Sequence, residues 1–157
     1  MKILLISIGS IKDQSLRQLQ QRYAARLPFY MPFEHISLPD VKVPRNAGAD
    51  IIKQREGEAI LARVQPGDFL VLMDERGKEL SSRDLADFIS RKSAALARNL
   101  VFVIGGPYGF SQAVYDRADM LLAISKMTFT HEMACVITTE QLYRAQTIIR
   151  GEPYHHD

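Results

Sequence analysis

Cysteine occurs once in the 157 residues, at Cys135, and tryptophan not at all. A single thiol excludes an intrachain disulfide, and nothing in the cysteine usage points to an oxidising compartment. Neither sign of charge is in marked excess: 20 Lys and Arg against 18 Asp and Glu leave +2 at pH 7. That balance permits an RNA or phosphate partner but does not demand one. No apolar run reaches the roughly 18 residues of a membrane span, and the opening stretch "MKILLISIGS" is too short for a signal peptide. A cytoplasmic protein with no membrane association and no metal site is therefore expected. Internal repeats, low-complexity segments and domain linkers are missing too. With 46% hydrophobic and 24% charged residues, the chain suits a single globular domain, residues 1–157, with an ordinary core.

What is present is an alternation of strand and helix signals. Ile3 to Ile8 is a continuous apolar run of the kind buried on both faces of a parallel sheet, and Leu16, Leu19, Tyr23 and Leu27 then recur at helical spacing. Phe33 to Leu38 predicts a second strand, and "PDVKVPRNAGAD" a polar loop. Ile51, Ile52, Ala59, Ile60 and Val64 mark a helix that "QPGD" ends. Phe69 to Met73 reads as the third strand and "DERGK" as the turn after it. Ser81 or Ser82 then caps a helix with the apolar stripe Leu85, Phe88, Ile89 and Leu96. Leu100 to Ile104 is the fourth strand, Ser111 to Ala118 a short helix, Met120 to Ile124 the fifth strand, and Met133 to Ile148 the last helix. The pattern predicts an α/β fold, a mostly parallel sheet with helices on both faces.

In open α/β sheets ligands bind beyond the carboxyl ends of the strands, where glycine lets backbone approach a ligand closely. "IGGPYG" stands at such an end, after the fourth strand. It fits neither G-x-G-x-x-G nor the P-loop pattern, so it is no phosphate cradle. Taken alone, it fits a tight strand-to-helix turn with no ligand equally well. "MDERGK" follows the third strand and "SKMTFTHEM" the fifth, so three loops should converge at one edge.

"FVIGGPYGFS", "SKMTF.H", "EQLYRA" and the ending "RGEPYHHD" together resemble the bacterial 23S ribosomal RNA pseudouridine N3-methyltransferase family, a branch of the knotted SPOUT methyltransferases. The similarity covers essentially the whole chain, with four motifs in order. It implies S-adenosylmethionine as methyl donor, a C-terminal trefoil knot, a homodimer, and a modified uridine in a 23S ribosomal RNA stem-loop as acceptor. The knot runs against the general rule that chains do not thread loops and rests on the resemblance alone.

Carried over to this chain, the cofactor site comprises Met73, Gly106 and Ser125, Lys126, Met127, Thr128, Phe129 and Thr130, with Gly105 and Pro107 shaping the turn. Adenine requires an apolar slot with a few backbone donors and acceptors, which Met73, Ile104, Met127, Phe129 and the glycine amides are able to supply. An isolated Met is more often a filler of core gaps.

An imide nitrogen is a poor nucleophile until it loses its proton. The acceptor therefore needs a general base, or a cation that stabilises charge on the ring carbonyls. His131, Arg144, His155 and His156 are candidates, and Tyr154 with His155 matches the family ending. Each has a plainer alternative. Arg144 and Glu140 could form an ordinary i, i+4 helix pair, His131 could cap the last helix, Tyr143 could be core rather than a stacking platform, and the tail could be a frayed end. One departure stands out: Cys135 occupies the place of an Arg usual in the family, and Thr138 and Thr139 replace apolar residues. This keeps open a non-catalytic or diverged RNA-binding module on the same scaffold. A third reading, an enzyme of small nucleotides, lacks a phosphate fingerprint.

Overall fold

The computed structural model describes residues 1–95 and 97–156. Leu96, placed above on a helical stripe, lies outside them. The order of elements is β1 Ile3–Ile8, α1 Gln14–Ala24, a 3-10 turn Leu27–Phe29, β2 Phe33–Leu38, α2 Ala49–Leu61, β3 Phe69–Glu79, α3 Ser82–Ala95, β4 Leu100–Ile104, α4 Gln112–Arg117, β5 Met120–Ala123 and α5 His131–Ile149. The strands form one sheet in the order β2-β1-β4-β3-β5, and each observed pairing is parallel.

Alternate residues of the central strands serve two cores. Ile3, Leu5, Leu100, Phe102 and Ile104 face one cluster that includes Leu142 and Tyr143 of α5. Leu4, Ile6, Ile8, Val101 and Val103 face the other, with Ile60 of α2 and Val114 of α4. Burial on both sides is why β1 and β4 read as unbroken apolar runs. α5 lies between α1 and α3 and packs on both.

Three expectations are corrected. "DERGK" is not a turn after β3, because the strand continues to Glu79. Residues 74–77 bulge out, so that Met73 and Lys78 both align with Leu122 of β5. The return to β5 needs Gly77: a Cβ there would lie 2.5 Å from the carbonyl carbon of Leu121. Second, α1 stops at Ala24, and Leu27 is buried in the following turn, where Pro28 prevents a continuing helix. Third, α5 begins at His131, capped by Thr130, whose hydroxyl accepts from the Met133 amide at 3.3 Å. His131 is thus the first residue of the helix. Ser81, the residue before α3, takes the capping place and exchanges hydrogen bonds with Asp84. No helix of the described residues is long and apolar enough to cross a membrane.

Candidate functional site

The bulge of β3 and the loops after β4 and β5 open into one cleft of about 1110 Å³. Met73, Gly105, Gly106, Ser125, Thr128, Phe129 and Thr130 line it, with His131 and Ala134 of α5. Lys126 and Met127 do not, and Met127 is 75% exposed. The reason is local. Ser125 Oγ accepts from the Met127 amide at 3.0 Å in a tight turn, while Thr128 donates its hydroxyl to Glu75 Oε2 at 2.6 Å across the cleft. His131 Nδ1 is buried with no hydrogen-bond partner among the described residues, and its Nε2 lies 4.0 Å from Cys135 Sγ.

The bulge of β3 delivers charge to the same cleft. Arg76 donates from Nε and Nη2 to Asp74 Oδ1 and Oδ2 at 3.1 and 3.0 Å. Tyr115 of α4 donates its hydroxyl to Asp74 Oδ2 at 2.5 Å, and the guanidinium lies 5.2 Å from the centre of the Tyr115 ring. The hydrogen bonds of Arg76, more than burial opposes them, hold the Asp74 carboxyl at about 2. Asp74 is therefore an anchored carboxylate rather than a base near neutral pH.

Neighbouring side chains occupy the space beside the paired glycines after β4. A Cβ on Gly105 would fall 2.9 Å from the Phe110 ring, and one on Gly106 would fall 2.5 Å from Glu56 Oε1. Gly105 and Gly106 are thus held against Phe110 and Glu56, and they line the cleft together with Phe110.

Arg144, Tyr154 and His155 gather in a second cluster. Arg144 donates to Glu140 Oε1 from Nε and Nη2 at 3.0 and 2.6 Å, and from Nη1 to His155 Nδ1 at 3.2 Å. Because guanidinium only donates, His155 accepts at Nδ1. The helix pair weighed as the plainer reading of Arg144 is present, and so is the link to the tail. Tyr154 lies 4.7 Å from the Tyr143 ring, centre to centre, and burial, then bonds to Tyr23 and Glu140, push its phenol far up. Tyr154 therefore stays protonated and acts as a donor. Glu152 accepts from the Tyr30 hydroxyl at 2.7 Å, which raises the Tyr30 phenol to about 12. The tail is packed against the fold, not frayed. Tyr143 is 8% exposed and belongs to the core.

Cys135 is fully buried, and burial pushes its thiol up to about 11, so it behaves as a small apolar side chain. Thr139 is accommodated by donating to the Cys135 carbonyl at 2.7 Å and accepting from Gln20 at 3.2 Å. Thr138, also buried, has no hydrogen-bond partner for its hydroxyl among the described residues. Sequence reading missed Glu56, Asp74, Arg76 and Tyr115 as site residues. The one signal available was the acidic-basic pair inside "MDERGK". Among the described residues no group of His, Cys, Asp and Glu is arranged to hold a metal.

A family model described as "Predicted SPOUT methyltransferase" matches residues 1–155. The chain is 46% identical over 158 residues to the "Ribosomal RNA large subunit methyltransferase H" of Cytophaga hutchinsonii, covering 99% of this chain and 100% of that protein. It is 46% identical over 157 residues to the protein of the same name in Parabacteroides distasonis, covering 100% of both, and 47% identical over 156 residues to that of Christiangramia forsetii, covering 99% of each. With a converging three-loop cleft at the carboxyl edge of a parallel sheet and similarity from end to end, this chain belongs to the SPOUT methyltransferase family.

Proposed function

We propose that this protein is an S-adenosylmethionine-dependent methyltransferase that acts in the cytoplasm on N3 of a pseudouridine in a stem-loop of 23S ribosomal RNA. It works as a homodimer, with the C-terminal trefoil knot that the resemblance implies. The names of the relatives support large-subunit ribosomal RNA as the substrate class. The cleft supports the cofactor: Met73, Ile104 and Phe129 offer apolar wall beside the bare backbone of Gly105 and Gly106, the mixture that a purine-bearing ligand requires.

The cofactor supplies an activated methyl group when bound. The chain has to hold the acceptor nitrogen in line with it, exclude water, and manage one proton. Arg144 presents a fixed positive charge, oriented by Glu140, that suits the oxyanion of a deprotonated imide. His155 accepts from Arg144 at Nδ1, and its imidazole is the group suited to moving a proton near neutral pH. Tyr154, kept protonated, positions both through Glu140.

The observation that carries the dimer is a separation. His131 lines the cleft and Arg144 follows 13 residues later on the same helix, about 20 Å along its axis at 1.5 Å per residue. One protomer holds cofactor walls and acceptor cluster too far apart to meet, whereas a two-fold partner brings one tail over the other's cleft.

The test is methyl transfer to ribosomes from cells lacking the enzyme, read by mass spectrometry of the modified nucleotide, with light scattering for the assembly. Co-expression of a Gly106→Val subunit with an Arg144→Ala subunit should yield mixed dimers with one intact site, restoring roughly a quarter of wild-type activity. Salt-dependent ribosome binding without methyl transfer would instead establish the RNA-binding module.

A further inference from the structure

Glu56 of α2 is 4% exposed, yet it is a carboxylate. Its Oε2 is buried with no hydrogen-bond partner among the described residues. Burial pushes its pKa up, a backbone hydrogen bond from Gly106 pulls against that, and the charge of Asp40 adds to the rise. A half-paired buried carboxylate is destabilising, and an apolar side chain of similar volume would pack there at less cost. The molecule nevertheless sets it against one particular backbone.

That backbone is the loop after β4. A Cβ on Gly106 would meet Glu56 Oε1 at 2.5 Å and Oε2 at 2.6 Å, so the carboxylate fills the space a side chain would take. The next residue on α2, Gly57, repeats the arrangement: a Cβ there would collide with Ser111 Oγ and come within 3.1 Å of Val114 Cγ2. α2 therefore touches the loop at both ends, at Gly106 and at Ser111, and its first turns, at Asp50 and Lys53, line the cleft together with Ser111. Gly105 and Gly106 also line the cleft.

We propose that Glu56 is a positioning residue for the loop Gly105 to Ser111, its carboxylate standing in for a Gly106 side chain and fixing the backbone that faces the cofactor. The proposal rests on the reading of the cleft as the S-adenosylmethionine site. Glu56 touches neither cofactor nor acceptor; it sets the place of the Gly106 amide, so its effect falls on cofactor affinity and not on the transfer step.

The experiment is calorimetric titration of the full-length protein with S-adenosylmethionine, alongside steady-state methyl transfer and thermal unfolding. Glu56→Ala should weaken cofactor binding by roughly 10- to 100-fold and raise KM for the cofactor, with kcat at saturation within about 3-fold. Glu56→Gln keeps an acceptor for the Gly106 amide and should bind within about 3-fold of wild type. Gly106→Ala should weaken binding in the wild-type background but cost several-fold less in the Glu56→Ala background, where no carboxylate is displaced. If Glu56→Ala does not fold, Glu56→Asp decides: its shorter side chain withdraws from Gly106 and should weaken binding. Wild-type affinity in a folded Glu56→Ala or Glu56→Asp protein, or equal Gly106→Ala penalties in both backgrounds, would overturn the proposal alone. Absence of cofactor binding by the wild type would overturn the cofactor reading and this proposal with it.

Discussion

Tyr154 donates its hydroxyl to Glu140 Oε1 at 2.9 Å, joining a residue beyond the end of α5 to one within it. The same oxygen accepts Nε and Nη2 of Arg144. One carboxylate thus ties the tail to the helix, in place of the frayed end weighed as its plainer reading.

Removing Glu152 to Asp157 deletes the packing of Tyr154 on Tyr143 and the bond between Glu152 and Tyr30. The loss of a partly buried aromatic is worth about 2 kcal/mol, which at this chain length lowers the unfolding midpoint by roughly 4–8 °C. Circular dichroism on heating measures it. An unchanged midpoint would return the tail to the status of a frayed end.

His155→Ala leaves Tyr154 and Glu152 in place and is aimed at the proton. It should lower methyl transfer by roughly 100-fold, the lower end of the range for a lost acid-base group. His156, which is exposed, should matter less when replaced by Ala. Equal effects of the two substitutions in a single-turnover assay would remove His155 from the mechanism.

Asp74 contributes stability with a definite sign. Its folded pKa of about 2 lies below the ordinary 3.8, chiefly through hydrogen bonds from Arg76. The contribution is therefore complete above the unfolded value and lost as pH falls through 4 towards 2. In urea unfolding, the gap between wild type and Asp74→Asn should stay constant from about pH 8 to pH 5 and shrink below about pH 4. A gap that widened in acid would contradict the anchored carboxylate.

His35 behaves in the opposite pH range. Gln20 donates to its Nδ1 at 3.1 Å, which leaves Nε2–H to donate to Ser7 Oγ at 2.8 Å. Burial, and secondarily the charge of His131, lowers its pKa. The unfolded chain then binds the proton more readily, so stability falls as pH drops below the unfolded value of about 6.5 and levels off below the folded one. Between about pH 7.5 and 5.5, wild type should lose more stability than His35→Gln. Equal losses in urea titrations would show that His35 takes up its proton without penalty.

The strand-helix alternation was legible in the sequence wherever one local pattern had one solution. β1 and β4 are buried on both faces, so every position must be apolar, and Ile3–Ile8 and Leu100–Ile104 state this without help from the rest of the chain. The loop motifs were equally local: "GGPYG" and most of "SKMTF" reach the wall of the cleft, because a loop that follows a parallel strand must emerge at the ligand edge.

Tertiary structure alone decided what depends on a distant partner. "DERGK" has turn composition, and only β5 lying against Gly77 makes it strand and turns Asp74 to Arg76 into the cleft. The family resemblance groups Met127 with the cofactor residues, yet the turn at Ser125 leaves it exposed to solvent. Glu56 lies 50 residues from Gly106, Glu140 14 from Tyr154 and Tyr30 122 from Glu152. Contacts of this kind leave no period and no spacing in a sequence. They arise when packing of two-sided apolar strands brings helices from different parts of the chain onto one sheet, and the polar groups caught between them must then find each other or remain unpaired.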